Sequence, residues 1–148
     1  MRLWHYKLIA YLPNKQLVSQ WRECIAIKRQ WEKGTLKHPL VSYVMKYSKE
    51  YFMEYVYLVR EELQNKNIKY NNKYYDEILS FCEEDIDYDE IIDYEDDNCL
   101  MFQEHNTRYL KQCYYNLQEK YDRGIITTDE WELIHKNIYG EIVRSDEM

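Results

Sequence analysis

The sequence predicts an all-α protein, folded as a single compact domain of five to six helices over residues 1–148. Apolar residues recur at helical spacing along most of the chain. Only three glycines and two prolines are present, too few for the many tight turns of an all-β protein. A chain of 148 residues has the usual size of one domain and can bury a core without disulfide or metal staples.

Six segments carry the helical pattern, and local signals mark several of their ends. Pro13 and Gly34 flank the first helix, and Ser48 precedes the third. Thr127 and Glu130 have capping-box spacing at the start of the last helix. The predicted helices are 14–31, 39–47, 49–65, 73–83, 102–122 and 128–139, and the second of them is expected to turn Val41, Val44 and Met45 inward.

The charge of the chain is unevenly distributed. Residues 1–74 contain 14 Lys and Arg against 6 Asp and Glu, whereas residues 75–148 contain 6 against 21, which leaves a net charge of −7. A basic half can bind a polyanion such as nucleic acid, and an acidic half opposes non-specific binding. Ten carboxylates crowd residues 83–97, which we expect to form a solvated acidic loop before the C-terminal helices of 102–139.

Other classes of protein and site are disfavoured. No apolar run approaches the roughly 20 residues of a membrane span, and the N-terminus lacks the apolar segment of a signal peptide. None of the four cysteines forms a C-x-x-C pair, so we expect reduced thiols in a cytoplasmic protein. The four histidines are scattered without the spacing of metal ligands, so no metal is expected.

The first helix carries an arginine–glutamate pair on its polar side. At about 100° per residue, Glu23 lies roughly 200° from the centre of the apolar stripe at Trp21, and Arg22 flanks the polar face. One interpretation is a surface carboxylate beside an arginine. The other is a catalytic carboxylate in a cleft, beside an arginine that binds phosphate.

Three N-terminal segments, Met-Arg-Leu-Trp-His at 1–5, Leu-Pro-Asn-Lys-Gln-Leu at 12–17 and Trp-Arg-Glu-Cys at 21–24, carry a resemblance to a known family. They resemble the pyrimidine-dimer DNA glycosylases, the phage-type endonuclease V of UV repair, and more closely its bacterial relatives. The resemblance covers residues 1–30 and 38–48, and more weakly extends to about residue 70. It implies an all-helical single domain like that of endonuclease V.

The resemblance also implies an activity. Such an enzyme removes one base of a cyclobutane pyrimidine dimer and then nicks the abasic site, through an imine formed with its N-terminal amine. Met1 would supply that amine, whose pKa near 8 leaves a useful neutral fraction at pH 7. Glu23 would be the catalytic carboxylate that stabilises the cationic sugar. Imine chemistry needs no cofactor, and the partner would be double-stranded DNA with UV damage or an abasic site, bound by a monomer.

Further residues of the basic half are expected to contact DNA. Two arginines would position phosphates, and other cations would form a rim around the amine. His38 would either contact substrate or phosphate, or cap a loop. The residues predicted to bind DNA are Arg2, Lys7, Lys15, Arg22, Lys28, Arg29 and His38.

The chain departs from the phage pattern at two places in its N-terminal half. Arg2 directly follows Met1, so Met1 is expected to be retained, and its formyl group must be removed before the amine can react. Ala26 lies where the phage enzyme would supply another arginine, with Lys28 and Arg29 close enough to compensate. The acidic second half predicts weaker and more salt-sensitive binding to undamaged DNA.

Three alternative functions stay open at this stage. The chain could be a non-catalytic protein of the same fold that binds DNA or a damaged nucleotide. It could be an interaction module whose acidic half binds a basic partner. It could also be an enzyme that cleaves another N-glycoside, since the same amine and carboxylate would serve that reaction.

Overall fold

The computed structural model describes residues 1–83 and 100–146, with side chains described as far as residue 143. Within these ranges the chain forms helices and no strand, which confirms the all-α prediction. Residues 84–97 of the predicted acidic loop lie outside the described residues. The α-helices are α1 (Asn14–Lys33), α2 (Lys49–Asn65), α3 (Asn72–Glu83), α4 (Thr107–Asp122) and α5 (Thr128–Asp146), and two 3-10 helices span Tyr6–Tyr11 and Ser42–Lys46.

The helices pack around one buried cluster of apolar side chains. α2 contacts α1, α3 and both 3-10 helices, and α4 packs along α5. The first 3-10 helix lies between α2 and α5, so it joins the N-terminal half of the chain to the C-terminal half. Tyr55, Phe52 and Phe102 are the largest fully buried side chains. Burial of this many apolar side chains is the main force that holds the helices together.

Local signals fix several helix ends as predicted. α1 ends at Gly34, whose φ of +72° is the left-handed conformation that glycine adopts without a Cβ penalty. Thr127 and Glu130 form a reciprocal capping box, in which each backbone N–H donates to the other residue's side chain, at 2.9 and 3.2 Å. Ser48 occupies the N-cap of α2, but among the described residues its side chain makes no capping bond.

The predicted helix 39–47 is wrong in length and type, since only Ser42–Lys46 is helical and it is a 3-10 helix. A 3-10 helix has three residues per turn, so Val41 and Val44 share one side and are buried. Met45 is turned away from that side and is 41% exposed, contrary to its predicted inward position.

The two C-terminal helices also differ from their predicted bounds. α4 begins at Thr107 rather than at residue 102, because the Asn106 side chain caps it by accepting from the Tyr109 N–H at 2.9 Å. α5 extends to Asp146 rather than to residue 139. Ile142 continues the buried side of α5 one turn beyond the predicted end, which gives the added turns an apolar contact with the core.

Ion pairs fasten α3 to α1. The Lys28 side chain is 7% exposed, and its ammonium lies 3.1 Å from the Glu32 carboxylate and 3.4 Å from that of Glu77. Arg29 donates from Nε and Nη2 to the two oxygens of Glu77, at 3.2 and 3.4 Å. These hydrogen bonds from Arg29, together with the charges of both cations, lower the pKa of Glu77.

Two buried histidines lie where the N-terminal segment meets α4. The rings of His5 and His105 stack with their centroids 5.4 Å apart. His105 Nδ1 accepts from the Tyr6 N–H at 3.2 Å, and its Nε2 lies 2.7 Å from the Tyr43 hydroxyl. Burial lowers the pKa of His5 to about 4 and that of His105 to about 3, so the fold holds both rings neutral.

Replacement of the α3 carboxylate should loosen the contact between α1 and α3. We expect Glu77→Gln to lower the free energy of unfolding by about 1–2 kcal/mol, because two cations lose a charged hydrogen-bond acceptor. Urea denaturation at pH 7 measures this. Glu32→Gln, which removes the exposed partner of Lys28, should cost less than about 0.5 kcal/mol. Equal losses in the two variants would contradict this ranking.

Acid should destabilise the fold through the histidine pair. Below pH 6.5 the unfolded chain takes up protons at His5 and His105 that the folded chain refuses until pH falls to about 4 and 3. Stability should therefore fall with pH by up to about 2.7 kcal/mol per unit from these two groups. Urea midpoints between pH 7 and 5 measure the slope. His105→Gln should reduce that slope by about one proton, whereas His38→Gln, in a surface loop, should leave it at the wild-type value.

Candidate active site

The first five residues cover one side of α1 and are bound to it by Gln20. The Gln20 Oε1 atom accepts from the Trp4 N–H at 2.8 Å, and its Nε2 atom donates to the Arg2 carbonyl at 3.1 Å. Gln20 is only 1% exposed as a result. The side of α1 that reads as polar in the sequence is thus an interior contact, and Met1, half-buried, packs against the core beside it.

Glu23 lies one turn after Gln20 on the same side of α1. Its side chain is half-buried, and its Oε2 atom is fully covered yet has no hydrogen-bond partner among the described residues. A covered carboxylate oxygen without a partner costs free energy, and such an atom is available to bond a ligand that enters the site. Burial raises the pKa of the neighbouring Cys24 thiol, and the charge of Glu23 adds to that shift.

Arg2 and Arg22 lie on different sides of α1. The Arg2 guanidinium lies 5.6 Å from the centre of the Trp4 ring, and its Nη1 is 3.9 Å from the Cys113 Sγ on α4. Arg22 is exposed and lies about 100° around α1 from Glu23. Arg2 therefore accompanies the N-terminal segment, whereas Arg22 faces another surface of the helix.

A pocket of about 470 Å³ opens on that other surface, between α1, the end of α2, the following loop and the start of α3. Three of its side chains are cationic and three are aromatic. A concave site with several rings and converging cations fits a flat, anionic ligand such as a nucleotide. The pocket is lined by Val18, Trp21, Arg22, Ile25, Ala26, Arg29, Leu63, Lys69, Tyr70, Asn71 and Tyr74.

Contacts between side chains hold the rings of the pocket in place. The Tyr70 hydroxyl accepts from Arg60 Nε at 3.0 Å and from Gln64 Nε2 at 2.7 Å. Its ring meets Trp21 edge-on, with the centroids 5.4 Å apart. The Arg29 guanidinium lies over the Tyr74 ring, 5.5 Å from its centre. The pocket is therefore a preformed surface whose walls come from α1, α3 and the loop between α2 and α3.

The remaining residues predicted to bind DNA are dispersed. Lys7 is exposed and lies 3.4 Å from Glu141 on α5. Lys15 is exposed in the first turn of α1, about two turns before Glu23. His38 is half-buried, and its Nδ1 accepts from the Leu40 N–H at 3.3 Å, which is a local turn contact. The structure does not gather these three side chains around Met1, so their contacts with DNA stay a prediction.

Lys28 and Arg29 differ in how they could meet DNA. Lys28 is buried against two carboxylates and the Phe81 ring, so a phosphate would have to displace those partners. Arg29 is bound to Glu77 but also lines the pocket with Arg22. Ala26 lines the same pocket, and Arg29 supplies a cation one turn further along α1.

The sequence did not single out several residues that shape these surfaces. Gln20 was placed on the polar face, but nothing in the pattern showed that residues 1–5 would cover it. Lys69, Tyr70 and Tyr74 lie at or just beyond the Asn-rich loop, and a cation next to closely spaced tyrosines is the signal that could have found them.

Two searches of the described residues complete the site. They contain no group of three or more His, Cys, Asp or Glu side chains arranged to hold a metal ion. No helix in the described ranges is both long enough and apolar enough to cross a membrane.

Comparison with known proteins agrees with the N-terminal location of the site. The sequence profile of the family described as pyrimidine dimer DNA glycosylase matches residues 1–76, half of the chain. No curated protein and no solved structure matches it. The matched range contains Met1 and Glu23, every residue predicted to bind DNA, and all side chains of the pocket. The chain belongs to the pyrimidine dimer DNA glycosylase family.

Proposed function

We propose that this protein is a DNA glycosylase with abasic-site lyase activity, which acts on UV-damaged double-stranded DNA through the Met1 α-amine and the Glu23 carboxylate. Membership of the family supports glycosylase chemistry on DNA. The observation that carries the residue assignment is the covered, unpartnered Oε2 of Glu23, one turn from the glutamine that binds the backbone next to Met1.

The reaction follows from the properties of a neutral amine. The Met1 nitrogen attacks C1′ of the damaged nucleotide, the glycosidic bond breaks, and the base leaves with the bonding electrons and takes up a proton. The sugar ring then opens to give an imine between Met1 and C1′. Loss of a proton from C2′ expels the 3′ phosphate and cuts the strand. Water finally hydrolyses the imine and regenerates the amine.

Glu23 has two tasks in this scheme. Its carboxylate stabilises the positive charge that develops on the sugar as the base leaves. It also accepts and returns the protons that move during ring opening and elimination. An oxygen that is covered and not already bonded by the protein suits both tasks, because no existing hydrogen bond has to break first.

The pocket on the other surface of α1 supports a role in binding the nucleic acid. Enzymes that work on a base take a nucleotide out of the helical stack, and an extruded base needs a place to go. Trp21, Tyr70 and Tyr74 offer rings for stacking, while Arg22, Arg29 and Lys69 offer partners for the phosphates. We propose that this pocket receives a nucleotide while the reaction proceeds at Met1.

Borohydride trapping tests the nucleophile and the carboxylate together. Deformylated protein mixed with UV-irradiated duplex, or with an abasic-site duplex, should give a covalent adduct at Met1, because borohydride reduces the imine to a stable amine. Glu23→Gln should slow the adduct by about 100-fold or more. Mass spectrometry of the N-terminal peptide locates the link.

Matched samples make the trapping result decisive. Protein acetylated at its N-terminus should give no adduct, and undamaged duplex should give none with any sample. Glu32→Gln, an exposed glutamate of the same helix, should react as the wild type does. An adduct with the abasic site alone would remove the dimer as substrate, and an adduct at a lysine would overturn the assignment of Met1.

The pocket surface should contribute to DNA affinity through Arg22. We expect Arg22→Gln to weaken binding to damaged duplex, and to lower the slope of log affinity against log salt by about 0.9, as one phosphate contact is lost. Fluorescence anisotropy over a series of salt concentrations measures both quantities.

Arg123→Gln is the matched control for this experiment. Arg123 is an exposed arginine that pairs with Glu119 at the end of α4, and its replacement should leave affinity and salt slope unchanged. If Arg22→Gln and Arg123→Gln behave alike, the pocket surface does not touch the phosphate backbone.

A further inference from the structure

Three side chains from three helices hold the backbone of residues 2–4. Gln20 on α1 bonds the Arg2 carbonyl and the Trp4 N–H, as described above. Tyr55 on α2 donates its hydroxyl to the Trp4 carbonyl at 2.5 Å. Tyr109 on α4 donates its hydroxyl to the Leu3 carbonyl. We refer to Gln20, Tyr55 and Tyr109 as the N-terminal clamp.

The N-terminal clamp recognises the chain through backbone groups. It satisfies three carbonyls and one N–H in a segment that has no secondary structure of its own. Burial raises the pKa of Tyr55 and of Tyr109 above the ordinary value for tyrosine, so both hydroxyls stay protonated and keep donating. Leu3 and Trp4 are themselves buried, which leaves this segment little freedom to shift.

We propose that Gln20, Tyr55 and Tyr109 are positioning residues, which fix the Met1 α-amine relative to Glu23. This inference rests on the proposed function, because it assigns the three residues to the reaction of that amine. None of them touches the reacting atoms. They act through the backbone of residues 2–4, and Gln20 couples that backbone to the helix that carries Glu23.

The physical need for such a clamp is clear. The first residues of a domain usually fray, and an amine on a frayed terminus samples many positions. A nucleophile reacts fastest when it is already held near the attacked atom, and a displacement of about 1 Å can cost about 100-fold in rate. Hydrogen bonds from three helices remove that freedom during folding, before DNA binds.

The Tyr109→Phe variant tests the clamp with the smallest change of shape. With abasic-site duplex at saturating concentration, the single-turnover rate of borohydride trapping should fall by about 5- to 100-fold, because the Leu3 carbonyl loses its partner. The DNA concentration that gives half the maximal rate should stay within about twofold of wild type. A split of this kind separates positioning of the amine from binding of the DNA.

Tyr114→Phe is the matched control. Tyr114 is a buried tyrosine of the same helix, and its hydroxyl lies 2.6 Å from His135 Nδ1, away from the N-terminal segment. It loses a comparable hydrogen bond and should trap at the wild-type rate. If Tyr114→Phe slows trapping as much as Tyr109→Phe does, the effect is one of general stability and the clamp proposal is wrong.

A second readout follows the clamp without DNA. In wild-type protein the Trp4 N–H should exchange slowly with deuterium, because Gln20 accepts it. Gln20→Leu should speed that exchange at least about tenfold and slow trapping in parallel, whereas Gln20→Glu keeps an acceptor and should restore the protection. Fast exchange with unchanged trapping would overturn the positioning role.

The two proposals fail in different ways. If wild-type protein forms no adduct with either duplex while the Trp4 N–H is protected, the proposed function fails and the N-terminal clamp is only structural. If wild-type protein forms the adduct and Tyr109→Phe matches it in rate, the proposed function stands and the positioning role is wrong.

Discussion

The buried amide of Gln20 is the interaction on which the N-terminal half of this structure depends. An amide at that point of α1 would be exposed if the helix stood alone, and the backbone of residues 2–4 would lack partners if it entered a purely apolar core. Each satisfies the other. The contact brings the chain terminus inside the fold, and it delivers the first 3-10 helix, with Leu8 and Ile9 buried, against α2 and α5.

Much of the positive charge of the basic half works inside the protein. Lys28 and Arg29 join α1 to α3 through Glu77, and Lys66 donates to the Leu12 carbonyl beside Glu62. Burial lowers the pKa of Lys66, which marks it as a cation partly removed from water. A count of lysines and arginines therefore overstates the surface available to DNA, and the cations of the pocket matter more than the total.

The fold could be predicted from the sequence where periodicity and end signals agreed. The bounds of α2 matched those predicted, and Gly34 and the Thr127–Glu130 box marked helix ends correctly. The segment before α2 was misread because two valines three residues apart fit an α-helix and a 3-10 helix equally well. The extension of α5 was missed because Gly140 looked like an end, although the apolar spacing continued to Ile142.

The candidate site was predictable in a different measure. Met1 and Glu23 could be named because the segments at 1–5 and 21–24 carry a family resemblance, whereas the surroundings of these two residues depend on contacts between distant parts of the chain. Tyr55 and Tyr109 look like ordinary members of apolar stripes, and only the folded structure shows that their hydroxyls reach residues 3 and 4. A pairing between side chain and backbone leaves no periodic trace in a sequence.

The described thiols give the molecule internal markers of local opening. Cys24 lies under the N-terminal half of the core and Cys113 lies beside Arg2, and both are buried with their pKa values raised by that burial. An alkylating reagent attacks the thiolate, so it reaches such residues only when their surroundings part. Peptide mapping after brief alkylation would then distinguish two events. Labelling of Cys113 alone reports that the terminus has lifted away from α4, whereas labelling of both cysteines reports unfolding of the core.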